Sequence, residues 1–167
     1  MKKIILGLFV FGLTIQSFAQ IVELPEVEIV AVNYKYLNDV REPDAAQSVQ
    51  LLQREVAAFD LKNSEYYEDQ YDDYFISFYI PQGKILASYD KEGNVLRTVE
   101  KYKNIALPNA VAESVVKKYS GWTIAENAYL VNYHDKKGVT RKEYKILLEK
   151  DSSRMRIKTD EKGNILE

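Results

Sequence analysis

The sequence predicts an α+β fold in which two units follow one another, each a helix succeeded by an antiparallel sheet. The first observation is a repeated phrase, DKEGNVL at residues 90–96 and DEKGNIL at residues 160–166. The second is that each phrase follows segments in which apolar and polar residues alternate, as in strands. The third is an amphipathic helical segment before each group of strands. Repetition at a fixed spacing indicates a duplicated unit, and helices with one apolar face are expected on one face of the sheet.

The first nineteen residues have the pattern of a secretory signal peptide. Lys2 and Lys3 form a basic start, residues 4–15 are an apolar run, and a Ser-Phe-Ala cleavage signal ends at Ala19. This run is shorter than the roughly twenty residues of a spanning helix, so a retained anchor is the less favoured alternative. We therefore expect cleavage after Ala19, periplasmic or secreted localisation, and no stable membrane span after signal removal.

Composition excludes several kinds of chemistry. The chain has no cysteine, so disulfides, thiolate catalysis and cysteine-ligated metals are excluded. The formal net charge is −2 and becomes more negative without Lys2 and Lys3, which gives no reason to expect nucleic acid as a partner. The thirteen tyrosines suit half-exposed sheet surfaces and wet interfaces, although strand propensity alone also explains them.

Residues 20–43 are predicted to be an N-terminal strand or arm. Residues 21–36 alternate apolar and polar side chains, and Pro25 confines such a segment to an edge or to the start of a strand. The first unit, residues 44–105, then begins with a helix. Asp44 is the expected N-cap, with Gln47 three residues later in a capping-box arrangement. The apolar stripe of this helix is Val49, Leu52, Val56 and Phe59.

The second unit, residues 106–167, repeats this pattern. Its helix is expected to begin at Pro108, which suits a first turn, and to end at Gly121. Its apolar stripe is Val111, Val115 and Tyr119. The strands predicted for the first unit are residues 66–71, 74–80, 84–90 and 95–99, and those for the second are residues 124–133, 142–149, 154–159 and 165–166.

Both repeated phrases have the composition of a hairpin turn. Asp90 and Asp160 can start a type I turn, and Gly93 and Gly163 can supply the left-handed residue that leads into the next strand. A calcium loop is the alternative, but each phrase lacks the further carboxylates that such a loop needs. We therefore predict hairpins here.

This arrangement resembles a known family. A helix with a Leu-Pro start, followed by antiparallel strands closed by an Asp-x-x-Gly-Asn hairpin, is similar to the exported PepSY-like domains related to the β-lactamase inhibitor protein fold. The resemblance covers residues 44–167 and is strongest in residues 107–121 and 143–167. The signal ending in Phe-Ala-Gln is similar to those of Bacteroidetes-type bacteria. The resemblance implies a periplasmic or secreted binding or inhibitory module.

Signatures of catalysis are missing from the sequence. The only histidine, His134, precedes a hairpin turn at residues 135–138 and is expected to be exposed there. One histidine in such a place is a poor base for a nucleophilic triad. A transition-metal site usually needs several His, Cys or carboxylate ligands, which a single histidine cannot supply. The seven glycines are scattered singly, so no phosphate-binding loop is present. We predict that the protein is not an enzyme and has no catalytic residue, metal or cofactor.

The densest polar cluster lies in residues 65–74, here called the acidic segment. Its carboxylates could hold a hard cation, meet a basic partner surface, or form a solvated rim that prevents edge pairing. The absence of glycine between Leu61 and Gln82 excludes an EF-hand loop. We do not predict a metal here, and we treat the segment as a secondary candidate surface carried by Glu65, Glu68, Asp69, Asp72 and Asp73.

Strand alternation predicts which side of the sheet is free. One side should be core: Ile76, Phe78, Ile80, Ile85, Ala87, Ile146, Leu148, Met155 and Ile157. Helices on that side leave the other open to solvent. This open face is predicted to carry Phe75, Tyr79, Lys84, Leu86, Lys145, Leu147, Glu149, Arg154, Arg156 and Lys158.

The composition of the open face favours a protein interface. Aromatic residues and arginine are enriched at interfaces, so we predict that Phe75 and Tyr79 anchor a partner protein while Lys84, Arg154 and Arg156 orient it. The alternative is an ordinary solvated sheet face covered by long side chains. The predicted function is an exported, non-catalytic protein-binding module that inhibits or chaperones an envelope or secreted enzyme. A structural envelope protein is the alternative, followed by a hydrolase or transferase with an unrecognised site.

Overall fold

A computed structural model describes residues 32–166. The predicted signal peptide, residues 1–19, and residues 20–31 of the predicted arm lie outside the described residues. Within the described range the chain forms three helices and seven strands. The helices are α1 Tyr34–Val40, α2 Gln47–Ala58 and α3 Asn109–Lys118. The strands are β1 Asp73–Ile80, β2 Gly83–Asp90, β3 Val95–Lys103, β4 Thr123–His134, β5 Gly138–Lys150, β6 Ser153–Thr159 and β7 Ile165–Leu166.

All the described strands belong to one antiparallel sheet. Their order in the sheet, β1-β2-β3-β4-β5-β6-β7, is the same as their order in the chain. Strands β3 and β4 pair from Arg97 opposite His134 to Lys103 opposite Ala128, so the sheet continues through the boundary predicted between the two units. The predicted α+β class and antiparallel pairing are confirmed. Division of the chain into two duplicated units stays a prediction.

The buried side of the sheet follows the predicted alternation. Ile85, Ala87, Ile146, Leu148 and Ile157 are buried, and Ile76, Phe78, Ile80 and Met155 are half-buried against the same core. Helix α2 contacts β1 and β2, while α1 contacts β4 and β5. The buried residues of all three helices belong to one hydrophobic cluster with those of the sheet. The described helices therefore share a single core with one face of the sheet.

The two repeated phrases form matching turns. In the first, the Asn94 amide donates to Asp90 Oδ1 at 2.8 Å, and in the second the Asn164 amide donates to Asp160 Oδ1, also at 2.8 Å. Gly93 has φ of 89° and Gly163 has φ of 83°, the left-handed region that favours glycine. The first turn joins β2 to β3 and the second joins β6 to β7, so the predicted hairpins are confirmed.

The prediction that the extended segment reaches Tyr36 is wrong for its last residues. Residues Tyr34–Val40 form α1. Tyr36 and Val40 are both buried, and residues four apart share one face of a helix. The Tyr36 ring packs edge-on against that of Tyr133 with centroids 5.2 Å apart. Burial of one helical face on β4 therefore outweighs the extended preference that alternation indicated.

The predicted cap of α2 is also wrong. The helix begins at Gln47, its N-cap residue is Ala46, and no side chain caps it. Instead, a side chain inside the helix contacts the residues before it: the Gln50 side-chain amide donates to the Ala45 carbonyl at 2.9 Å. The predicted stripe is confirmed in that Val49, Leu52 and Val56 are buried, whereas Phe59 lies just beyond the helix and is half-buried.

Helix α3 begins where predicted but ends at Lys118 rather than at Gly121, so Tyr119 of the predicted stripe lies just beyond it and is half-buried. It follows Pro108 and buries Val111 and Val115. Two lysines in its last turn complement the negative end of the helix dipole. The Ser114 hydroxyl donates to the Gly163 carbonyl at 2.6 Å, which fixes α3 against the turn between β6 and β7.

Candidate functional site

The open face of the sheet is exposed where the sequence predicts it. Phe75 and Tyr79 on β1 are 71% and 69% exposed, and Leu86 on β2 is 46% exposed. Lys84, Lys145, Arg154, Arg156 and Lys158 are exposed as well, whereas Leu147 and Glu149 are half-buried. The predicted division of the strands into a core side and an open side is therefore confirmed.

Four apolar side chains form a patch on the β1–β3 end of this face. Ser77, between Phe75 and Tyr79, lies opposite Leu86, and Leu86 lies opposite Val99 on β3. Val99 is 56% exposed. Directly opposite and diagonal side chains on one sheet face are close enough to touch, so these residues form one apolar patch: Phe75, Tyr79, Leu86 and Val99.

The predicted charges do not all lie beside this patch. Lys84 is directly opposite Tyr79, but Arg154 and Arg156 are on β6, five strands from β1, or about 24 Å at the usual strand spacing. Arg154 Nε is 2.7 Å from Glu149 Oε1, which partly satisfies its charge. The structure thus brings Phe75, Tyr79 and Lys84 together and places the two arginines at the other end of the face.

Residues 65–72 of the acidic segment are not in a strand, since β1 begins at Asp73. The structure places turns where residues 66–71 were predicted to be extended. The Tyr71 amide donates to the Glu68 carbonyl at 3.1 Å, and the Tyr74 hydroxyl donates to the same carbonyl. These local hydrogen bonds fold the segment back on the start of β1. Its five carboxylates are exposed: Glu65, Glu68, Asp69, Asp72 and Asp73.

A basic pocket lies on the β3–β6 part of the open face. Its cavity volume is about 380 Å³. Five cationic side chains line it, here called the basic pocket residues: Lys101, Lys103, Lys145, Arg156 and Lys158. The last three were predicted to lie on the open face, whereas the first two were missed because β3 was predicted to end at Val99. Continuing the strand by four residues places both on the open face.

Among the described residues, one carboxylate is buried on the core side of the sheet, that of Glu100. Its side chain is fully buried, and it accepts four hydrogen bonds, from the hydroxyls of Tyr36 at 2.8 Å, Thr98 at 3.0 Å and Tyr102 at 3.0 Å and from the Gln53 amide at 2.9 Å. Burial raises the pKa of Glu100 above its usual value, while the four hydrogen bonds oppose this rise. Since every donor comes from α1, α2 or β3, the carboxylate joins both helices to the sheet.

His134 is less exposed than the sequence predicts. It is the last residue of β4, its side chain is half-buried, and its Nδ1 lies 2.6 Å from Asp135 Oδ1. The Lys136 amide donates to the same nitrogen at 3.2 Å. Among the described residues, these turn contacts engage the imidazole, and no serine or threonine hydroxyl hydrogen bonds to it.

Within residues 32–166, no group of three or more histidine, aspartate or glutamate side chains is arranged to hold a metal ion. In the same range, none of the helices combines the length and apolar character required to cross a bilayer.

Comparisons with known proteins add little to this geometry. Neither the protein-family models nor the curated proteins contain a match. Among solved structures, the chain is similar to a BLIP-like protein from Bacteroides fragilis, with 15% identity, a TM-score of 0.35, and coverage of 78% of this chain and 89% of that one. The chain is an α+β protein with one seven-stranded antiparallel sheet in its described part, and the PepSY-like resemblance stays a prediction.

Proposed function

We propose that this protein is an exported, non-catalytic module that binds another protein through the open face of its sheet. The observation that carries the proposal is the apolar patch. Two aromatic side chains on one strand are each more than two-thirds exposed, and they adjoin two further exposed aliphatic side chains. Exposed apolar clusters of this kind on soluble proteins commonly mark interaction sites.

The size of the face suits a single interface. A stable protein complex buries about 800 Å² on each partner, a patch roughly 30 Å across. The distance from the apolar patch to Arg154 and Arg156 is about 24 Å across five strand spacings. One partner of ordinary size can therefore contact both ends, with aromatic anchors at β1 and orienting charges at β6.

Binding through aromatic anchors leads to a direct test. Replacing Phe75 and Tyr79 with alanine should weaken partner binding at least about tenfold, because truncated aromatic anchors typically cost 2 kcal/mol or more at an interface. The partner is first captured from envelope extract with the purified protein, and its dissociation constant is then measured for each variant. Stability should change by only about 0.5 kcal/mol, since both side chains are exposed.

A matched control removes exposed apolar surface elsewhere. Leu51 on α2 and Val116 on α3 are also exposed, and the variant with both changed to alanine should bind the partner normally. Unchanged affinity in the Phe75→Ala, Tyr79→Ala variant would contradict the proposed site and point to the acidic segment or residues 20–43. Capture of no stoichiometric partner would favour a structural envelope role, and turnover of a substrate would favour an unrecognised enzyme.

Export is part of the proposal and rests on the pattern of residues 1–19. Cleavage after Ala19 should give an exported form whose first residue is Gln20. Intact-mass measurement of the protein from periplasmic and culture fractions tests this and distinguishes the two locations. A protein that retains residues 1–19 in the membrane fraction would contradict it. Inhibition and chaperoning are separated by assaying the captured partner: an inhibitor lowers its activity, whereas a chaperone raises its folded yield.

A further inference from the structure

The basic pocket concentrates positive charge on one part of the open face. One carboxylate, Glu126, lines the pocket beside five cations. Two other cations of the open face are paired with carboxylates: Arg141 with Glu143 at 2.5 Å and Arg154 with Glu149 at 2.7 Å. Within residues 32–166, none of the basic pocket residues forms an ion pair. The pocket therefore holds five cations against a single carboxylate.

The register of the strands makes this charge costly to the fold. Lys103, Ala128, Lys145 and Lys158 occupy one row across β3, β4, β5 and β6. Lys145 and Lys158 are directly opposite each other, an arrangement of like charges that destabilises a sheet. Positions that break such a local rule without a compensating contact are typical of functional sites.

The same row explains why a pocket forms there. Ala128 lies between Lys103 and Lys145, and its short side chain leaves space at the centre of the row. Leu147, in the pocket lining, lies opposite Arg156 on the neighbouring strand. The pocket thus combines an apolar side chain with the neighbouring cations.

We propose that the basic pocket binds a small polyvalent oxyanion, a molecule with two or more carboxylate or phosphate groups. The volume lies within the range of about 300–1,000 Å³ that is usual for small-molecule sites. Lys103 and Lys158 are three strands apart, about 14 Å between their Cα atoms. Several negative charges on one ligand can approach more of these cations than a single charge can.

The identity of the cations indicates how the pocket selects its ligand. Four of the five are lysines, whose ammonium groups act as compact charges without the planar fork of arginine. Selection is therefore by the number of charges rather than by one rigid geometry, and affinity rises with anion valence. This site goes beyond the proposed protein interface, although Arg156 belongs to both surfaces.

Calorimetric titration with acetate, citrate and tripolyphosphate tests the site. At constant ionic strength of about 0.15 M, the trivalent citrate and the more highly charged tripolyphosphate should bind the purified protein at 1:1, and acetate should not bind measurably. Changing Lys145 and Lys158 to glutamine should weaken both interactions at least about tenfold, because it removes two of the five cations. The variant should be no less stable than the wild type without ligand, since like-charge repulsion is relieved.

A control variant has the same net charge as the Lys145→Gln, Lys158→Gln variant but keeps the pocket intact. Lys91 and Lys137 are exposed and lie outside the pocket, so changing both to glutamine should leave citrate binding unchanged. Equal weakening in this control would reduce the effect to net charge and overturn the proposal. Absence of heat with both polyvalent probes would overturn it as well. The proposal would also be overturned if the protein self-associates and the Lys145→Gln, Lys158→Gln variant does not. In that case the acidic segment of a second copy, rather than a small anion, would occupy the basic pocket.

Discussion

Replacing Glu100 with alanine should be strongly destabilising, by about 3–5 kcal/mol, because several buried hydrogen-bond donors lose their acceptor. The substitution removes the acceptor for four donors on α1, α2 and β3. The donors then remain buried without an acceptor, and each unsatisfied group costs about 1–3 kcal/mol of stability. Urea unfolding followed by circular dichroism measures the loss. A cost below about 1 kcal/mol would mean that the network is not maintained in solution.

The glutamine variant of Glu100 isolates the contribution of ionisation. Burial raises the pKa of this carboxyl in the folded state above its ordinary value of 4.5, so the folded protein binds the proton more tightly than the unfolded chain. The stability that Glu100 contributes is therefore fully present below pH 4.5 and is lost as the pH rises through the raised pKa.

Comparison with the glutamine variant cancels the titration of the other groups. The stability advantage of the wild type over Glu100→Gln should decrease as the pH rises above 4.5, as measured by urea midpoints at several pH values. Tyr102→Phe is the structural control. It removes one donor, the Tyr102 hydroxyl 3.0 Å from Glu100 Oε2, and keeps the carboxyl. A difference that grows with pH would contradict the raised pKa.

Gly163→Ala should be the second large effect, costing about 2–4 kcal/mol from overpacking and left-handed backbone strain together. A Cβ at this position would lie 2.4 Å from the Ala110 carbonyl oxygen and 2.9 Å from Ser114 Cβ. The Ala110 oxygen belongs to the backbone of α3 and cannot move without displacing the helix. The substitution should therefore also weaken the hydrogen bond from Ser114 to residue 163.

The first turn supplies a control with nearly the same backbone. Gly93 has a similar positive φ, but the nearest atom to its added Cβ is Leu61 Cβ at 3.9 Å. Gly93→Ala should therefore cost only the strain of the left-handed conformation, about 1–2 kcal/mol. Equal losses of unfolding free energy in the two variants would show that α3 does not constrain Gly163.

The strands and turns could be predicted from the sequence because their signals are local. Alternation in β1 and β2 and the Asp-x-x-Gly-Asn turns depend on neighbouring residues. The helical state of Tyr34–Val40 could not, since it depends on burial of Tyr36 and Val40 against distant strands. In the acidic segment, tyrosine suggested a strand by propensity, whereas hydrogen bonds between near neighbours favour turns.

The candidate site was predicted in part for the same reason. Strand alternation placed Phe75 and Tyr79 on the open face without knowledge of other strands. Predicting the basic pocket would have required the register of four strands. One polar residue, Glu100, also obscured the continuation of β3. Glu100 occupies a core position on β3, so the pattern around Lys101 and Lys103 does not alternate by polarity although the strand continues. A buried carboxylate cannot be recognised until its donors on α1 and α2 are placed.

Continuity of the sheet across β3 and β4 determines how the protein unfolds. Separating the chain between these strands would expose two full edges and leave the Arg97–Lys103 stretch of β3 without its partner. We therefore expect that neither half folds on its own, whether or not the two arose by duplication. Loss of order should spread through the whole sheet as one cooperative transition, with a single denaturant slope set by the surface of the entire domain.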